Sequence, residues 1–149
     1  MELDDTTKKG LAAAVAEARK GMDQGGIPIG SSLMLGDEVV AAGHNQRVQK
    51  GSQILHGEMS AIENCGRRRD YGQMTLFTTL SPCMMCSGTI LQFGIPRVVI
   101  AENQNFGGNE EFLRSRGVEV TVLNDPECIE MMRGFIDAHP DLWDEDIGE

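Results

Sequence analysis

From residue 75 onward this 149-residue chain, which has no internal repeat, alternates short β-rich runs with segments that read as helices. Residues 75–79 form the first run, and Ser81-Pro82 then supplies an N-cap and an N1 proline for a helix reaching Phe93. Residues 97–101 read as a strand after Pro96, 110–116 as a helix stopped by Gly117, and 118–123 as another strand. Asp125-Pro126 caps a helix to about Ala138, and residues 140–147 supply a last short helix. Strands alternating with helices in this way call for a mixed sheet covered on both faces. Upstream, Leu11, Val15, Ala18 and Met22 recur at helical spacing between a cap at Thr6 or Thr7 and the Gly25-Gly26 stop. Residues 29–35 and 39–42 then read as a hairpin around Gly36-Asp37. Residues 43–55 read as loop, and 56–65 as a helix ended by Gly66. The expected fold is α/β, with helices on both faces of a central five-stranded sheet, in a single domain over residues 1–149.

Composition narrows the function. At 40% apolar residues the chain can build a core without help from a disulfide or a structural metal. No run approaches 18 uninterrupted apolar residues, and the acidic start lacks the layout of an export signal, so membrane association is not expected. Four cysteines in such a chain point to a reducing, cytoplasmic setting, where thiols are buried or hold metal. The net charge is −10, and residues 124–149 hold nine acids against Arg133 alone. A polyanion would be repelled there. The basic run Arg67-Arg68-Arg69 is too short for a nucleic-acid stripe and reads as a solvated loop. A small uncharged ligand is favoured, with no nucleic acid partner.

Two stretches carry chemistry: His56-Gly57-Glu58 and Pro82-Cys83-Met84-Met85-Cys86, each opening a predicted helix. Cys83 and Cys86, three apart, share one helix face and can grip one ion. The positive helix end lowers thiol pKa and favours the thiolate that zinc requires. His56 supplies a third ligand, and three protein ligands leave the fourth tetrahedral position for water, as in catalytic zinc sites. Glu58, in the first turn, can lie beside that position without binding metal and move protons. Either half alone is weak; a lone C-x-x-C fits a redox dithiol equally well. Together and in this order they match the H-x-E…P-C-x-x-C signature of zinc nucleobase deaminases. A closed structural zinc site would need a fourth ligand, for which His44, His139, Cys65 and Cys128 are available.

The chain further resembles the fungal-type, yeast-like cytosine deaminases of the cytidine and deoxycytidylate deaminase superfamily. The similarity runs through residues 25–30, 43–45, 55–58, 63–67, 79–83 and 105–106, and through the Asp-Ile-Gly-Glu tail at 146–149. The resemblance implies the three-layer α-β-α cytidine deaminase-like fold and hydrolytic deamination of a free pyrimidine base, cytosine to uracil plus ammonia. Isocytosine or another amino-heterocycle is the alternative substrate, and a tRNA or single-stranded DNA deaminase or a non-catalytic zinc module the more remote ones. It implies one Zn2+ per subunit on His56, Cys83 and Cys86, with Glu58 as the catalytic proton shuttle. Asn45 and the Gly57 amide would bind the N1/O2 edge, with Asp146 near N1, and the Ser81 carbonyl would take the displaced amino group. Phe106 and Trp143 would stack on the base and close the pocket, and Ile29 would form an apolar wall. The family is homodimeric, with a C-terminal helix as lid. Met84, Asp144 and Ser31-Ser32 depart from the family pattern.

Plainer roles stand beside these. Trp143 can simply dock the last helix, and Phe106 can be packing. His44 reads as satisfied within its loop, Cys65 and Cys128 as small buried groups, and Asn45 as a turn residue. Met22, Met34, Met59, Met131 and Met132 read as helix or strand interiors.

Overall fold

The structure, a computed structural model, describes residues 3–149. Helix α1 (Asp5–Asp23) opens at Asp4, whose carboxylate accepts a hydrogen bond from the Thr7 amide at 2.7 Å, so the cap lies two residues before the earlier predicted threonine. Its inward face is also different from the expected one. Gly10, Ala14, Ala18 and Gly21 are buried, whereas Met22 is 40% exposed. The reason is close approach: a Cβ on Gly30 would lie 2.0 Å from the Ala14 carbonyl oxygen. A helix backbone this near a strand admits only small residues between them, and the larger Leu11 and Val15 flank the contact.

Strands β1 (Gly30–Leu35) and β2 (Glu38–His44) form the predicted hairpin, with β2 longer at both ends than the apolar run suggested. Strands β3 (Met74–Thr78), β4 (Arg97–Ile100) and β5 (Glu119–Val122) complete a sheet ordered β2-β1-β3-β4-β5. The first three pair antiparallel and the last three parallel, the mixed sheet that the alternation requires. Residues 43–55, read as loop, hold instead the end of β2 and a one-turn helix α2 (Arg47–Lys50). Helix α3 (Gly57–Cys65) follows with His56 as N-cap. Helix α4 (Met84–Gln92) opens at Cys83 and not at the predicted Ser81, because the Cys83 sulfur accepts the Cys86 amide at 3.5 Å. Helices α5 (Glu110–Ser115), α6 (Pro126–Ala138) and α7 (Pro140–Asp146) fall within their predicted spans, α6 behind its Asp125 cap.

Leu33, Leu76, Val98 and Ile100 face Ala61 of α3 and Ile90 of α4 on one side of the sheet. Met34, Phe77 and Val99 face Ala14 of α1 on the other. A third cluster, Ile27, Ile29 and Leu80 with Met132 and Phe135 of α6 and Trp143 of α7, closes the end where β3 and β4 terminate. Loops leaving the carboxyl ends of parallel strands are where such sheets bind ligands. Here the cluster puts the C-terminal helices over that end. No helix among the described residues is long and apolar enough to cross a membrane.

Candidate active site and metal centre

Two helix starts meet at this end of the sheet. His56 caps α3, so Gly57 and Glu58 occupy its first turn; Cys83 caps α4, so Cys86 lies three residues inside. His56 Nδ1 stands 3.4 Å from Cys83 Sγ and 3.8 Å from Cys86 Sγ, and the three donor atoms lie within 4.8 Å of one another. Metal bonds of about 2.3 Å to sulfur and 2.0–2.1 Å to nitrogen imply tetrahedral edges of roughly 3.6–3.8 Å. The donor set therefore fits one zinc ion in both size and chemistry, and no fourth side chain joins it among the described residues. His44, one of the alternative fourth ligands, is held elsewhere: Nδ1 pairs with Glu17 at 2.8 Å and Nε2 with Gln24 at 3.0 Å.

The surroundings set the protonation of these groups. The Cys86 thiol donates to Cys83 and, with His56, holds the Cys83 pKa down at about 4 against the opposing effect of burial. That same donation to Cys83, with burial, raises Cys86. Burial also opposes charging His56, but the Cys83 sulfur, Asp146 and Glu58 outweigh it and raise its pKa. Glu58 is 3% exposed, and its burial, partly offset by His56, lifts the pKa to about 7. A carboxyl poised there can both take and return a proton near neutrality.

A small pocket opens beside these groups. Of the residues singled out from sequence, Ile29, His56, Glu58, Ser81 and Cys83 line it, and so do Phe106, Trp143 and Asp146 from the C-terminal half. Phe106 and Trp143 meet edge to face, with centroids 6.0 Å apart and planes at 87°. Trp143 also packs in the α6–α7 cluster, so anchoring α7 and walling the pocket are one arrangement. Asn45 reaches the site through its neighbour: Asn45 Nδ2 donates to Asp146 Oδ1 at 2.9 Å, and its Oδ1 accepts from the Arg47 amide at 3.0 Å. Gly57 lies tight against Ile29; a Cβ there would stand 3.1 Å from the Ile29 carbonyl oxygen.

Sequence reading missed several members. Leu80 and Ile147 also line the pocket. Arg47, with its side chain 4% exposed, stands 3.6 Å from Asp146 and is held by the Gln53 carbonyl at 3.0 Å. Burial raises the Asp146 pKa, and His56 at 3.5 Å, Asn45 and Arg47 act against that rise. Glu102 and Glu110 organise the loop carrying Phe106. Glu102 accepts the Gln104 and Asn105 amides, at 2.8 and 3.0 Å. Two buried hydroxyls, those of Ser31 and Ser87, find no hydrogen-bond partner among the described residues. The only signal for Glu110 was its place at a predicted helix start, and Arg47 lay in a segment read as loop.

The cytidine and deoxycytidylate deaminase zinc-binding region matches residues 4–102. The chain belongs to this deaminase family. It is 55% identical over 152 residues to a cytosine deaminase of Candida albicans, covering 100% of both chains. It is 39% identical over 137 residues to a tRNA-specific adenosine deaminase of Streptococcus pyogenes serotype M18, covering 84% of this chain and 86% of that one. Among solved structures, a guanine deaminase from Nitrosomonas europaea superposes with a TM-score of 0.76 at 19% identity, covering 91% of this chain and 86% of that one. The expected cytidine deaminase-like fold is thus borne out, and the family is a zinc-binding one.

Proposed function

We propose that the chain catalyses hydrolytic deamination of free cytosine to uracil and ammonia, with His56, Cys83 and Cys86 holding zinc and Glu58 moving the protons. The observation that carries this reading is the placement of Glu58, buried and uncoordinated beside a three-donor metal corner. Bound there, zinc supplies Lewis acidity that makes water a nucleophile near neutral pH. Glu58 takes one proton of the attacking water and delivers it to ring N3 as oxygen bonds to C4; it then carries the proton of the new C4 hydroxyl to the amino nitrogen, so that the C4–N bond breaks, C4=O forms and ammonia leaves. Ile29, Phe106 and Trp143 hold the base and keep bulk water away from the adduct.

The substrate edge favours a free base. Asn45 and the Gly57 amide would face O2, and Asp146 would accept the N1 proton. A glycosyl group at N1 would remove that donor and set bulk against a buried carboxylate that keeps only its Asn45, Arg47 and His56 contacts. A site built around a hydrogen bond rejects analogues lacking it by about 10⁴-fold, so cytidine should react at about that disadvantage. Full-length similarity to a cytosine deaminase supports the same choice over a polynucleotide. We further propose a single deaminase domain in the cytoplasm that works as a homodimer. Ile54 and Met84, 54% and 60% exposed, lie along a groove beside the site and give pairing an apolar surface to cover.

The test is ammonium release from cytosine, isocytosine, adenine, guanine, cytidine and a deoxycytidine oligomer, run with the zinc-loaded wild type and with Glu58→Ala. Cytosine should react fastest, and Glu58→Ala should keep its zinc while losing at least about 10²–10⁴-fold in rate. Preference for isocytosine or the oligomer would move the substrate assignment. Substantial turnover by Glu58→Ala would remove Glu58 from its role.

A further inference from the structure

Segment 79–83 leads from β3 to the metal-side helix and is strapped to the loop between β4 and α5 by three bonds. The Ser81 amide donates to the Glu102 carbonyl at 3.1 Å, Ser81 Oγ donates to Glu110 Oε2 at 2.6 Å, and Asn109 Nδ2 donates to the Pro82 carbonyl at 2.9 Å. With its amide and hydroxyl so engaged, Ser81 has its backbone carbonyl left as the polar group to offer the pocket it lines. The Glu110 carboxylate is the hub. Besides Ser81 it accepts the Gly108 amide at 3.0 Å, the Asn109 amide at 3.1 Å and Asn103 Nδ2 at 2.9 Å. Those three donors bracket Phe106, so one carboxylate fixes both the Ser81 backbone and the loop carrying an aromatic wall. Gly108, at φ +120°, takes a backbone conformation that L side chains rarely adopt, which lets two successive amides turn inward onto the carboxylate.

We propose that Glu110 is a positioning residue for the chemical step, setting the Ser81 carbonyl and Phe106 against the departing amino group. It rests on the deaminase reading, in which that carbonyl receives the amino nitrogen. Positive character grows on this nitrogen as the C–N bond breaks, so a fixed acceptor stabilises the transition state more than the ground state. An ionised acceptor serves better than a neutral one, since charge-assisted hydrogen bonds are roughly twice as strong. Its hydrogen bonds also hold the Glu110 carboxyl well below the usual carboxylate range, to about 2, in spite of burial.

The experiment compares wild type, Glu110→Gln, Ser81→Ala and the double variant, with zinc content and single-turnover rates measured on cytosine. Glu110→Gln should lower the single-turnover rate about 10- to 100-fold with KM changed less than about 3-fold, zinc content being unaltered. Ser81→Ala should lose part of the same rate, and the double variant should fall no further than Glu110→Gln alone, the non-additivity expected of residues acting as a unit. Losses that multiply, a loss wholly in KM, or loss of zinc in Glu110→Gln would overturn the proposal. Should Glu110→Gln not fold, Ser81→Ala decides: a slowed single turnover supports the proposal, and a wild-type rate overturns it. Wild-type release of ammonium is the separate control. Its failure would sink the deaminase reading itself, whereas wild-type turnover matched by Ser81→Ala would sink the Glu110 role alone.

Discussion

His56, Glu58, Cys83 and Cys86 come from two short stretches of chain, whereas the opposite wall draws Asn45, Ser81, Phe106, Trp143 and Asp146 from far-separated places. On the metal side, geometry is local. An N-cap residue and the residue two or three positions on must share one end of a helix, so each motif fixes its own donors. On the substrate side, Asn45 and Asp146 stand 101 positions apart, and Ser81 and Glu110 are separated by 29. Those partners meet only because the sheet brings its strand ends together and α7 folds back across them. The two halves should therefore fail differently. Damage to the metal corner removes activity at a stroke, and damage to the wall grades it.

Cys86→Ala is the severest way to test that division. It removes a fully buried ligand, so zinc content should fall below stoichiometric and ammonium release to background. Metal analysis alongside the assay checks it, and full zinc occupancy with retained activity would dissolve the distinction. Asp146→Asn sits on the other side. Asn45 keeps a partner, but a charged acceptor for the substrate becomes neutral. A hydrogen bond to a charged group contributes about 1.5–3 kcal/mol, so kcat/KM should drop roughly 10- to 150-fold with zinc retained. Loss of zinc in this variant would show that the contact with His56 governs the metal as well as the substrate edge.

The same contrast explains what could be read from the sequence. The metal set and Glu58 were legible because residue type, order and helix start agreed within a few positions. Five strands and the major helices were legible from alternation and caps, notably Asp125-Pro126, where the Asp125 carboxylate accepts the Cys128 amide at 3.0 Å. Asp146, Phe106 and Trp143 came from family resemblance, since nothing in spacing brings residue 146 to residue 45. Arg47 and Glu110 were missed because a charged residue in a polar stretch looks solvated until the fold buries it, as with Arg47, or surrounds it with donors, as with Glu110. The α1 face was misjudged for a related reason. Apolar periodicity reports size, and the α1–β1 contact selects smallness. Ala18→Leu should thus cost about 1–3 kcal/mol by overpacking against a strand that cannot retreat. Met22→Gln should stay within about 0.5 kcal/mol. Urea unfolding of both variants checks the pair, and equal destabilisation would restore Met22 to the core.

The stability difference at Glu110 is small and separates its charge from its shape. Burial disfavours its ionised form, but hydrogen bonds from Ser81, Asn103 and the Gly108 amide prevail and hold the pKa at about 2 against 4.5 for a free glutamate. A carboxyl whose pKa is depressed on folding contributes stability that is whole above the unfolded value and lost as the pH falls through the folded one. The advantage of wild type over Glu110→Gln should therefore be full above about pH 4.5 and shrink toward pH 2. Half-exposed and screened by solvent, the carboxylate should account for only about 1 kcal/mol of it. The difference between the two proteins is the readout, because proton-driven release of metal would weaken both alike. A gap in urea midpoint that stays constant from pH 5.5 to pH 2.5 would mean that the loop is held by the shape of the side chain, and that its charge contributes nothing to the wall.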